Sequence, residues 1–94
     1  MAESVDQPVL LSQALQHLAT AQHATGDPEA METYRRAIEL SEQLHDRSGM
    51  ALMQLNLGLL LDSAGHTTES IRLLREAAAR AADLGPSGEP LRQR

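Results

Sequence analysis

The chain has 94 residues, enough for one small domain, and a net charge of −5 that offers no footprint for a nucleic-acid backbone. It has no Cys, Phe or Trp and one Tyr, which excludes disulfides and thiolate chemistry and leaves the core to aliphatic side chains. Leu and Ala enter helices at little entropic cost, so the expected class is all-α.

The acidic opening, MAESVDQP, has neither the basic nor the apolar region of a secretory signal, and residues 1–8 are expected as a lead-in. The next stretch, PVLLSQALQHLATAQHAT, carries Leu11, Ala14, Leu15, Leu18 and Ala21 at helical spacing up to Gly26. In DPEA, Asp27 can cap a second helix, Pro28 suits its first position, and Glu29 meets the positive end of its dipole. That helix should run to about His45, with Ala30, Tyr34, Ala37, Ile38, Ser41 and Leu44 on one face. HDRSG breaks it, and Asp46 or Ser48 can cap a third helix reaching Ala64, where Gly65 closes the end in the left-handed conformation. Thr67 is expected to cap a fourth helix bearing Ile71, Leu74, Ala77, Ala78, Ala81 and Leu84. Residues 85–94, GPSGEPLRQR, carry glycines, prolines and no apolar period, and are expected to be a disordered tail. The longest apolar run, Leu57 to Leu61, is far below the ~20 residues that span a bilayer. A cytoplasmic location is the expectation.

Loops this short force neighbouring helices antiparallel. The chain also repeats itself. Ala30-x3-Tyr34-x2-Ala37-Ile38 recurs as Ser70-x3-Leu74-x2-Ala77-Ala78, each offset by 40, and Gly26 recurs as Gly65, offset by 39. Each half is helix, glycine turn, helix, with small residues that let two helices approach and one bulky residue beside them. Residues 9–84 are thus expected as a two-repeat domain, 9–45 and 46–84.

LNLGLLLDSAGHTTESIRLLREAAARA resembles a tetratricopeptide repeat, the helix-turn-helix unit of an α-solenoid. Leu57-Gly58 stands at the family's Leu-Gly, Gly65 at its turn glycine, and Leu74 and Ala77 in its second helix. Ser70 replaces the usual alanine, Gln54 the large first-helix residue and Leu61 an aromatic. The first half matches through Ala30, Tyr34 and Ala37, with Leu18-Ala19 in place of Leu-Gly. The period near 40 exceeds the ordinary ~34 and resembles the longer-helix variants; on period alone a HEAT-type helical pair fits as well. The resemblance implies two stacked hairpins and a concave groove that holds a peptide or helix, with Asn56 at the position that bonds a bound main chain and His17 as its counterpart in the first repeat.

No constellation for catalysis stands out. His17, His23, His45 and His66 include no metal-ligand spacing, and the serines lack a neighbouring base with an orienting third group. The expectation is a non-catalytic protein–protein interaction module without cofactor or metal. Its groove stripe would be Gln13, Gln16, His17, Thr20 and His23 on the first helix, and Leu52, Leu55, Asn56, Leu59 and Asp62 on the third. On that third helix Met53, Leu57, Leu60, Leu61 and Ala64 should face inward, and Leu52, Leu55 and Leu59 should bury an apolar helix or peptide. A helix apolar all round is buried on two sides, and two repeats supply only one of them. The alanine-rich face of the fourth helix is likewise uncovered, so self-association is expected, as a symmetric dimer. Charge could steer it: residues 1–46 hold eight acids and two bases, net −6, and residues 47–94 hold five acids and six bases, net +1. The alternative reading is a structural self-association unit, or a piece of a longer repeat array.

Overall fold

In the computed structural model the described residues are 2–83, with side chains described from residue 7. They form helices α1 (Ala2–Thr25), α2 (Ala30–Gln43), α3 (Arg47–Ser63) and α4 (Thr67–Ala82), and no strand appears among them. The architecture is all-α, as expected. The helix α1 begins upstream of the expected boundary, at Ala2, and encloses Pro8. Leu84 and the expected tail, 85–94, lie outside the described residues.

The turns obey the local chemistry of the sequence in part. Gly26 and Gly65 both take positive φ, at 75° and 92°, where glycine carries no steric cost. His45 makes the third left-handed turn at φ 57°, a position that its sequence did not mark. Asp46 is the N-cap of α3, and its carboxylate accepts from Gly49 N at 3.0 Å. The other two caps differ from expectation. Asp27 Oδ1 accepts from Glu29 N at 2.9 Å, which closes the turn ahead of α2 while Glu29 occupies the N-cap without a side-chain bond. His66 is the N-cap of α4, also without one, and Thr67 is already helical.

Sequential helices pack as α1 on α2, α2 on α3 and α3 on α4, with a lighter contact between α1 and α3. This is two hairpins stacked side by side. One core runs through Leu15 and Ala19 of α1, Ala30, Tyr34 and Ala37 of α2, Met53, Leu57 and Leu61 of α3, and Leu73 of α4. Close approach within the second hairpin depends on Gly58: a Cβ there would lie 2.8 Å from Leu74 Cδ2. Ser70 Oγ donates to the Gly58 carbonyl at 2.7 Å across the same contact.

The inward faces of α2 and α3 are largely those expected, except that Ala64 is exposed. In α1, by contrast, Ser12, Leu15 and Ala19 are buried, while Leu11, Ala14, Leu18 and Ala21 are exposed. In α4, Ser70, Leu73 and Ala77 are buried, while Ile71 faces solvent. Apolar residues stand on more than one side of each of these helices, so spacing alone did not select the face that packs.

Candidate functional site

An apolar groove runs between α3 and α4. Ala51, Leu52 and Leu55 form one wall, and Leu74, Ala77, Ala78 and Ala81 the other. It arises where the hairpin brings alanines together: small side chains on α4 let the helices converge, and the longer leucines flank the resulting trough. Its volume is about 330 Å³, near the lower end for small-molecule sites. Such sites ordinarily carry a few polar groups that orient the ligand, and every lining side chain here is Ala or Leu. The chemistry on offer is burial of an apolar ridge.

Leu52 and Leu55 are half out in solvent, at 50% and 42% exposure. Leu59, on the same stripe, is also exposed but lies beyond the groove wall. Asn56 is half-buried and His17 exposed, and neither lines the groove. The structure thus separates the leucine wall from the two polar residues expected beside it. Two more members of the expected first-helix stripe turn away from solvent. Gln16 Nε2 reaches Ser12 Oγ at 3.2 Å and Ser41 Oγ at 3.4 Å, and His23 Nδ1 meets Tyr34 Oη at 2.8 Å. The bonds to Ser41 and Tyr34 run from α1 to its hairpin partner α2, and the bond to Ser12 stays within α1.

A polar ladder also links α3 and α4. Gln54, buried at the position where a large apolar residue was expected, donates through Nε2 to Glu76 Oε1 at 3.1 Å and accepts from Arg80 Nε at 3.0 Å. Both ends of its amide are satisfied, so its burial leaves no orphaned group. Glu76 also accepts from Arg72 at 3.0 Å, and Glu69 pairs with Arg35 of α2. Arg35 and Arg72 are thus engaged by the protein's own carboxylates, and Arg80 by the Gln54 amide oxygen. Among the described residues no group of three or more His, Asp or Glu is gathered that could hold a metal ion, and no helix is long and apolar enough to cross a membrane.

Sequence reasoning anticipated the uncovered alanines of α4 and the leucines of α3 separately. It missed that Ala51 joins them into one trough, and it missed the second apolar surface on α1, where Val9, Leu10, Leu11 and Leu18 are 45–61% exposed. The repeat offset was the signal that could have found both. Compared with family models, curated proteins and solved structures, the chain matches none.

Proposed function

We propose that this protein is a non-catalytic protein–protein interaction module of the tetratricopeptide type, which captures an apolar helix or peptide. The observation that carries this reading is the α3/α4 groove, lined only by Ala and Leu. Leaving a leucine exposed forfeits roughly 1.5–3 kcal/mol relative to full burial, and a partner helix would recover a share of that at Leu52 and Leu55. The stacking order of the hairpins, the close approach at Gly58 and the turn glycines agree with the resemblance read from the sequence. Leu59 extends the apolar stripe one turn past the groove, and Asn56, next to Leu55 on α3 but outside the groove wall, would bond a partner main chain that reaches past that wall, through an amide that donates and accepts. His17 would serve the equivalent role on α1.

The test is selection of amphipathic helices from a displayed library, followed by titration against variants. Leu55→Glu should abolish binding, since it places a charge in the trough. Asn56→Ala should weaken binding by about 1–3 kcal/mol, the cost of leaving a buried partner group unpaired, without lowering the melting temperature. Failure to select any helix, or binding indifferent to Leu55→Glu, would reject the groove as the site. An Asn56→Ala variant that melts earlier yet binds normally would assign Asn56 to the scaffold alone.

A further inference from the structure

We infer that the occupant of the α3/α4 groove is α1 of a second copy of this chain, so that copies join head to tail. This rests on the reading of the groove as an interaction surface and goes beyond it by naming the partner. Aligning the turn glycines Gly26 and Gly65 matches α1 to α3 at an offset of 39, and the repeated pattern matches α2 to α4 at 40. The register holds in three dimensions: Ser12, Leu15 and Ala19, the hairpin face of α1, correspond to Ala51, Gln54 and Gly58, and all six are buried.

Beyond its hairpin face, α3 buries Met50, Met53 and Leu57, the latter two in the cluster that holds Tyr34 and Ala37 of the first hairpin. Their counterparts on α1 are Leu11, Ala14 and Leu18, which are exposed. On the receiving side, Tyr34, Ala37 and Ser41 of α2 are fully buried, and their counterparts on α4 are Leu74, Ala77 and Ala81, which line the open groove. The molecule therefore makes one hairpin-on-hairpin interface internally and leaves the matching ridge and the matching groove unpartnered among the described residues. A second copy supplies the ridge.

Charge favours this arrangement over like-to-like pairing. Head to tail, a half of net −6 meets a half of net +1, whereas groove to groove sets +1 against +1 and ridge to ridge sets −6 against −6. The chain's own residues 84–94 are poor candidates for the groove, because Gly85, Pro86, Gly88 and Pro90 oppose the helix that could present such a ridge. A heterologous contact does not close after two copies unless a ring forms.

Analytical ultracentrifugation of the full chain, from micromolar to submillimolar concentration, tests this. The weight-average mass of the wild type should climb past that of a dimer, and added salt should reduce it. Leu18→Glu blocks the ridge and Leu55→Glu the groove, so each alone should remain at the monomer mass of 10.2 kDa. An equimolar mixture should form a dimer and stop there, because one intact ridge fills one intact groove and both outer ends are blocked. That rescue would also show that both variants fold. A wild type that stays monomeric would overturn the inference. So would a Leu18→Glu variant that still dimerises, which would mean groove-to-groove pairing, or association that appears only after deletion of residues 84–94. If the wild type is monomeric yet binds a selected amphipathic helix in a Leu55-dependent way, the interaction module stands and its partner is a different protein.

Discussion

Tyr34, the chain's lone aromatic, is fully buried in the core, where desolvation pushes its hydroxyl above the ordinary value of 10.0, against a smaller lowering by a hydrogen bond from Thr20. The folded protein therefore keeps this proton at a pH where the unfolded chain releases it. The neutral form's stabilisation is complete below about pH 10 and is lost as pH rises beyond it. With no Lys and no Cys in the chain, no other side chain titrates between there and the arginines. Urea unfolding should show stability falling above pH 10 in the wild type and a flatter profile in Tyr34→Phe; identical profiles would contradict the burial. At Gly58 the argument is steric. A Cβ would meet Leu74 Cδ2 and Cγ at 2.8 and 2.9 Å, so Gly58→Leu should cost about 1–3 kcal/mol by overpacking. The change to Ala should cost less, since Leu74 borders an open groove and helix propensity returns up to about 1 kcal/mol. Tolerance of Leu at Gly58 in a denaturant titration would refute the close approach. Gly58 was legible because the pattern placed a glycine inside a helix, where only packing justifies it. His45 was not, because nothing in a histidine announces φ 57°; the bond from Asp46 N to the Ser41 carbonyl at 2.9 Å holds the turn there.

The helices differ in how firmly their ends are fixed, and the difference is measurable. The backbones of Asp46 and His66 are similar at the N-caps, with φ −88° and −89°, yet only Asp46 accepts a helix N–H. Asp46→Ala should destabilise by about 0.5–2 kcal/mol. His66→Ser should stabilise by about 1 kcal/mol, since it would sit three residues before Glu69 in the arrangement of a capping box. Chemical denaturation of the pair decides this, and equal midpoints would show that neither cap matters. The α2 face was readable because one stripe of α2 is apolar and the rest polar, whereas the start of α1, at Ala2, was not. The packed faces of α1 and α4 were not, since Val9, Leu10, Leu11, Leu18 and Ile71 are exposed alongside apolar residues that are buried. Periodicity reports that a helix has an apolar side; it cannot choose between two. The packed faces are those that carry the small residues, Ala19 in the core with Tyr34 and Ala37 of α2 and Gly58 against Leu74 of α4.

For the whole molecule, the consequence is an asymmetric pair of ends. The first hairpin presents an apolar ridge on α1, and the second an apolar groove between α3 and α4. The sequence made the groove half legible, through leucines and alanines with nothing to cover them, but Asn56 and His17, expected on the groove stripe, do not line it. The trough follows the hairpin seam rather than the first-helix stripe. Among the described residues α4 packs chiefly on α3, with an ion pair from Glu69 to Arg35 of α2, and its groove side is uncovered, so its amides should exchange readily in a dilute monomer and a helix laid in the groove should slow them. Amide hydrogen exchange, followed while the full chain is concentrated, therefore tests the central claim most directly. The account predicts protection that grows with concentration in α4 and in α1, and that is absent in Leu55→Glu. Exchange in both helices that is independent of concentration, and the same in Leu55→Glu, would contradict it.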